Sequence, residues 1–357
     1  MKDKHILSGE ELVDCMLPAP LEGGFRMEGY WVWCGSVVKG EDGKYHMFAS
    51  RWSKDLPMHP GWLVGSEIVR AVSDTPEGPY TFEEVVLDRR GAQYWDGRAT
   101  HNPVITKYKD KYLLYYVGTT HPICEKFSKE QLRLGGDLHV LACSNQRIGL
   151  AIADSVYGPW ERFDAPILTT RPRCFDSFMV NNPAPVVKPD GSVILMYKSM
   201  GYTKDMTNAL LFDLMKMSVA TAPYYTGPYQ AISEKAFYDP KEFYLEDPFI
   251  WQNEEGQFSM IAKDMNGNTC GEPRGGVFAT SEDGLEWILH KNKLEYSRNI
   301  LWSDGIVRQM GNLERPFILF EEGQATHMFF ATSDGIEGLS DCKNTWNMVI
   351  PLKSKMK

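Results

Sequence analysis

Apolar and polar residues alternate along this chain in short runs, and the same order of runs returns several times. One unit reads as a Pro-led apolar strand, a turn built on Gly or Asp, and an aromatic-rich strand. It occurs as NPVITKYKDKYLLYYVG (102–118), NPAPVVKPDGSVILMYKS (182–199), DPFIWQNEEGQFSMIAKD (247–264) and RPFILFEEGQATHMFFATSD (315–334). A fifth copy, CGSVVKGEDGKYHMFASRW (34–52), keeps the turn and the second strand but lacks the Pro. A second unit follows, as AVSDTPEGPYTF (71–82), AIADSVYGPWERF (151–163), VATAPYYTGPYQAI (219–232) and, more weakly, FATSEDGLEWIL (278–289). Each reads as a third strand, a Gly-containing turn and an aromatic-led fourth strand. Five copies of a four-stranded antiparallel sheet predict an all-β, five-bladed β-propeller around a central channel, because radial repetition protects strand edges. The whole chain, 1–357, then forms one domain with blades beginning near residues 30, 100, 180, 245 and 313. Segments 122–138 and 204–217 break the pattern and read as insertions with helical character. TWNMVIPL (345–352) reads as the closing blade edge.

Composition agrees with this picture. Aromatic residues reach 12%, and 31 Gly with 21 Pro suit many short strands joined by tight turns. The net charge of −9, without a Lys/Arg cluster, argues against nucleic acid and anionic membranes as partners. No apolar run approaches the ~18 residues of a membrane span. The opening MKDKHILSGEELVDC lacks the apolar core of an export signal, so a cytoplasmic protein is expected. Seven scattered Cys with no CxxC read as reduced thiols, and no His, Cys or carboxylate spacing suggests a metal site.

In an antiparallel blade the start of the inner strand and the end of the second lie on the same face. That gathers His101-Asn102, Asn181-Asn182, Glu246-Asp247 and Glu314-Arg315 with Arg51-Trp52, Lys198 and Lys263-Asp264 around one channel mouth. Features that recur from copy to copy are read as architecture: the Pro of four copies, the aromatic–Asp pairs Trp95-Asp96 and Phe175-Asp176, and the looser versions Tyr238-Asp239 and Trp302-x-Asp304. Function is expected where copies differ, in the two residues before the Pro. Acids, bases, amides and a Trp converging on one mouth predict a site for a small carbohydrate. Glu246, Asp247 and Glu314 are the candidate catalytic carboxylates. Arg51, Trp52, His101, Asn102, Asn182, Lys198, Asp264 and Arg315 are the candidate substrate-binding residues. Trp52, beside Arg51, ranks ahead of Trp33 and Trp62 for stacking on a sugar.

These motifs resemble those of five-bladed propeller glycosidases, the clan around glycoside hydrolase families 43 and 32. The most specific pieces are HNP…DKYLLYYVG…IGLAIADSVYGPW and the Glu-Asp-Pro and Glu-Arg-Pro strand starts, over roughly residues 30–350. The resemblance implies a glycoside hydrolase acting on small oligosaccharides, and it allows a calcium ion in the channel. The Glu two residues before a Pro, the family's general acid, is matched by Glu246 and Glu314. In blade one the family's carboxylate is missing, and Cys34 or Gly35 stands in its place. LEDPFIW is also similar to the Glu-Asp-Pro motif of the family 130 phosphorylases, with Phe249 where those enzymes carry Arg. The expected assignment makes Glu246 the general acid and Asp247 or Glu314 the second carboxylate. In a regular strand residues 246 and 247 point to opposite faces, so both can serve only if a bulge intervenes. The alternatives are cleavage by inorganic phosphate and a sugar-binding propeller without turnover.

Overall fold

A computed structural model describes residues 12–122, 127–202 and 213–353. A short helix, α1 (Leu12–Cys15), precedes the first blade. Blade one is β1 (Tyr30–Lys39), β2 (Tyr45–Ser53), β3 (Glu67–Ser73) and β4 (Thr81–Leu87), with a helical segment α2 (Met58–Gly65) between β2 and β3. Blade two is β5 (Ala99–Tyr108), β6 (Lys111–Thr119), β7 (Arg147–Ala153) and β8 (Glu161–Arg162); α3 (Lys129–Leu132) and α4 (Asp137–Ser144) precede β7. Blade three is β9 (Met179–Val187), β10 (Val193–Met200), β11 (Lys216–Ala222) and β12 (Gln230–Ala231). Blade four is β13 (Leu245–Gln252), β14 (Phe258–Asp264), β15 (Gly276–Ser281) and β16 (Ile288–His290). After a small hairpin of β17 (Asn299–Leu301) and β18 (Val307–Gln309), blade five is β19 (Leu313–Glu321), β20 (Gln324–Ser333) and β21 (Thr345–Pro351). Every blade pairs antiparallel in sequence order.

The closing edge differs from expectation. β21 is the third strand of blade five, and the N-terminal stretch lies outside it. Phe25 and Asn347 exchange backbone hydrogen bonds of 2.8 and 3.1 Å, and the Leu17 amide donates to the Pro351 carbonyl at 2.8 Å. Six consecutive residues of β21, Thr345–Ile350, are buried, so the strand needs a neighbour on its outer side.

The repeated local signals have physical counterparts. In each GP[YW] turn the Gly has positive φ (Gly78 +87°, Gly158 +87°, Gly227 +101°), and the following Gly–Pro bond is cis. The aromatic–Asp pairs fasten the loop ahead of an inner strand onto the second strand. Asp96, fully buried, accepts from Tyr116 Oη at 2.7 Å and Arg90 Nε at 2.6 Å, while Asp176 accepts from Tyr197 Oη and Arg171 Nε. Trp95 lies where a Cβ on Gly149 would come within 2.5 Å of its ring, so that β7 position requires Gly. The looser pairs, at Asp239 and Asp304, cap turns by accepting from the Lys241 and Ile306 amides.

The expected 122–138 insertion contains α3 and continues into α4. Residues 203–212 of the expected 204–217 insertion lie outside the described residues. α2 has no counterpart in the sequence reading. Leu63 and Val64 of α2 pack with Leu132, Leu138 and Ala142, so two insertions together wall one side of the channel mouth.

One backbone device recurs in all five inner strands. Cys34, Asn102, Asn182, Asp247 and Arg315 each have φ between 49° and 58°, beside an irregular pairing with the second strand. Asn and Asp tolerate this conformation; for Cys and Arg it stores strain. The bulge breaks the period-two alternation, so consecutive residues such as Glu246 and Asp247 both reach the mouth.

Candidate active site

A cavity of about 600 Å³ opens at this mouth, lined from all five blades and from α2 and α4. At its base four of the five left-handed residues form a hydrogen-bonded belt. Asn102 Nδ2 donates to Asn182 Oδ1 at 2.5 Å, and Asn182 Nδ2 donates to Asp247 Oδ1 at 2.6 Å. Asp247 Oδ2 accepts from the Arg315 backbone amide at 3.1 Å, and Arg315 Nη2 donates to the Pro183 carbonyl. Two atoms of this buried belt lack a hydrogen-bond partner, Asn102 Oδ1 and Arg315 Nη1. An unsatisfied acceptor and an unsatisfied donor suit ligand hydroxyls, which both donate and accept.

Above the belt, ion pairs join blades three, four and five. Lys263 Nζ, with the residue 2% exposed, lies 2.8 Å from Glu246 Oε2, 2.9 Å from Glu314 Oε1 and 3.6 Å from Asp247 Oδ2. Lys198 also donates to Glu246. With its amide oriented to accept from Ser333 Oγ, Asn312 donates to Glu314 Oε1 at 3.2 Å. Burial alone would lower Lys263, but Glu246, Glu314 and Asp247 outweigh it and hold the ammonium well above its usual range. The two glutamates diverge. Burial would raise Glu246, but Lys198 and Lys263 pull it well below the carboxylate range. Glu314 has only Lys263 in opposition, so burial, with help from Asp247 and Glu246, pushes it up.

On the opposite wall stand three histidines. His59 accepts from Trp62 Nε1 at 2.9 Å on its Nδ1, which leaves the proton on Nε2, and burial followed by the neighbouring His139 pushes it down to about 4. His101 stacks under Trp62 with ring centroids 4.4 Å apart, and its Nδ1 meets Ser66 Oγ at 2.8 Å. Burial, then Arg315 and Lys198, hold it well below the usual histidine range. Neutral imidazoles in this wall can orient hydroxyls without adding charge.

The cavity therefore brings together Glu246, Asp247, Glu314, Trp52, His101, Asn102, Asn182, Lys198 and Arg315 among the expected residues. Two are elsewhere. Arg51 faces away: it pairs with Glu67 at 2.9 Å and lies over the Tyr30 and Phe82 rings, both at 4.4 Å, because Trp52 takes the mouth-facing position on β2. Asp264, fully buried, accepts from the amides of Gly267, Thr269 and Cys270 and shapes the following loop. Two roles also change. Trp52 is 1% exposed and sits edge-on to His101, so it offers no open face; Trp62 is half-buried, with His101 stacked on one face. Glu246, the expected general acid, is the glutamate held ionised.

Sequence reasoning passed over His59, His139 and Arg274, and placed Lys263 at the mouth without giving it a role. The Lys at the ends of the third and fourth second strands, Lys198 and Lys263, was a usable repeat signal. The histidines lie in insertions, where no repeat aligns them. The residues do not fit the channel calcium that the resemblance allows. The belt contains one carboxylate, an Arg side chain shares its centre, and no metal-holding group of three His, Cys, Asp or Glu occurs among the described residues.

No family profile matches the chain, and no curated protein matches it in sequence. Solved structures do. Zg3597, a family 117 glycoside hydrolase from the marine bacterium Zobellia galactanivorans, superposes with a TM-score of 0.65 at 15% identity, covering 96% of this chain and 92% of its own. A thermostable family-43 glycoside hydrolase gives 0.56 at 14% identity, with 96% and 94% covered. CoXyl43, a family 43 β-xylosidase/α-arabinofuranosidase from a compost microbial metagenome solved with xylotriose, gives 0.56 at 15% identity, with 94% and 96% covered. Nearly the full length of this chain thus has the five-bladed propeller fold of those glycoside hydrolases.

Proposed function

We propose that this protein is a glycoside hydrolase acting on a small oligosaccharide or glycoside held in the cavity over the channel mouth. The observation that carries the reading is the pair Glu246 and Glu314, which share one buried lysine and are driven in opposite directions. Two carboxyls whose environments separate their proton affinities are what acid–base cleavage of a glycosidic bond uses. Glu314, retaining its proton longer, is the general acid to the leaving oxygen. Glu246 is the ionised partner. Their nearest oxygens both touch Lys263 Nζ, at 2.8 and 2.9 Å, which bounds their separation below the ~6.5–9.5 Å of inverting sites and favours direct attack by Glu246. The three fold neighbours described above are glycoside hydrolases, which supports the same class.

Incubation with a panel of aryl glycosides and oligosaccharides tests this. Release of sugar, lost in Glu314→Gln and in Glu246→Gln, is expected; no release with any sugar would sink the proposal. The anomer formed first, read by NMR, reports whether Glu246 attacks directly.

One observation favours a second reading, a sugar-binding propeller without turnover: Glu246, Asp247 and Glu314 each lie against a cation. That reading predicts thermal stabilisation by a sugar with no product. Adding phosphate to the same assay checks for phosphate-dependent cleavage.

A further inference from the structure

The wall between blades four and five holds two guanidiniums that meet each other instead of a carboxylate. Arg274, in the loop between β14 and β15, donates from Nη1 to the Gly311 carbonyl at 3.2 Å. Arg298, just ahead of β17, donates from its own Nη1 to the same oxygen at 3.4 Å, and to the Met310 carbonyl. Among the described residues, no Asp or Glu forms an ion pair with either. The neighbouring carboxylate of Glu272 is committed to Ser297 Oγ at 2.7 Å and to the Arg298 backbone amide at 2.9 Å. Arg298 Nε is buried with no partner. Burial and the adjacent Arg274 hold Arg298 below its usual proton affinity, and the nearby Glu272 offsets this only in part.

Arg274 is half-buried and lines the cavity. Its guanidinium lies against Gly338, where a Cβ would come within 2.7 Å of Nη1, so the blade-five loop leaves it room only by having no side chain there. The pair is also linked to the catalytic end of the cavity. The Gly311 carbonyl that both arginines share accepts from Asn312, which in turn donates to Glu314. Every other buried cation of the cavity, Lys198, Lys263 and Arg315, already faces Glu246, Asp247 or Glu314. Planar forks of donors at close quarters recognise carboxylate and sulfate groups.

We propose that Arg274, backed by Arg298, receives an anionic substituent of the sugar, a uronate carboxylate or a sulfate ester, so that the cavity selects acidic oligosaccharides. This rests on the reading of the cavity as a sugar site, but not on turnover. The test is calorimetric titration of the full chain with matched pairs: digalacturonate against galactobiose, glucuronate-substituted against plain xylotriose, and sulfated against neutral galactobiose. At least one acidic member is expected to bind about tenfold or more tightly than its neutral counterpart, with the gap narrowing at high salt. Arg274→Gln should remove that preference and leave the neutral affinity in place, while Arg274→Lys should keep part of it. Equal binding within every pair, equal weakening of both members by Arg274→Gln, or no binding by any member would overturn the proposal. Inorganic phosphate alone is the remaining arm: if it binds through Arg274 and accelerates cleavage of neutral glycosides, the site serves a free anion and the proposal fails. An acidic preference lost in Arg274→Gln, without hydrolysis of any glycoside, would overturn the hydrolase reading and leave this one standing. Hydrolysis without the preference would do the reverse.

Discussion

Replacing Lys263 with Met tests the ion cluster at its centre. The substitution keeps most of the side-chain volume and removes an ammonium that is 2.8 and 2.9 Å from two glutamates and 3.6 Å from Asp247. Three buried carboxylates would then face each other with only Lys198 and Arg315 close by. Breaking one buried pair costs about 3–5 kcal/mol. Because this ammonium serves two direct partners, a loss toward the upper end is expected at pH 7, read by equilibrium urea unfolding. The pH dependence follows from linkage. Without the ammonium, Glu246 and Glu314 both move up, and a carboxyl whose folded pKa exceeds its unfolded value of about 4.3 is protonated first in the native state. The native state then gains stability as pH falls, so the deficit should shrink from pH 8 toward pH 5. Adding Glu314→Gln should recover about 0.5–3 kcal/mol by removing one of the facing charges. A variant within about 1 kcal/mol of the parent at pH 7 would refute the reasoning. So would a deficit that ignores pH, or a second substitution that recovers nothing.

Three other outcomes are expected. Glu314→Gln should lower kcat about 10²–10⁴-fold on poor leaving groups and much less on activated aryl glycosides, and should erase the alkaline limb of the kcat/KM profile that its raised proton affinity sets. His59, pushed to about 4, takes up its proton later than an unfolded histidine at about 6.5, so the stability it contributes is lost as pH falls from 6.5 toward 4; thermal melts of His59→Asn across that window should show a shallower decline. Asp96→Asn should cost about 1–3 kcal/mol by disturbing the acceptor of Tyr116 and Arg90, while folded variant keeps its kinetic constants, because Asp96 lies outside the cavity. An equal loss of kcat and stability there would contradict the architectural role.

Much of the fold was legible because its signals are local. Turn glycines, Pro-led strands and aromatic spacing are repeated in each blade, and they located the inner-strand starts at 30, 99, 179, 245 and 313 within a residue or so. The same repetition identified the Asp of the aromatic–Asp pairs as architecture, which the Asp96 and Asp176 contacts bear out. It also nominated nine residues that line the cavity, since antiparallel pairing dictates which strand ends share a face. Arg51 and Asp264 were misplaced for the complementary reason: each neighbours a mouth-facing residue, and a one-residue step along a strand reverses the direction of a side chain. Only the tertiary structure set the left-handed bulge that brings Glu246 and Asp247 to one mouth, the wall that α2 and α4 build from unrepeated insertions, and the opposite directions in which Glu246 and Glu314 are pushed. That divergence depends on how many ammonium groups reach each carboxyl through a low-dielectric interior. Glu246 has two and Glu314 has one, a difference of a few ångströms between blades that no spacing along the chain encodes.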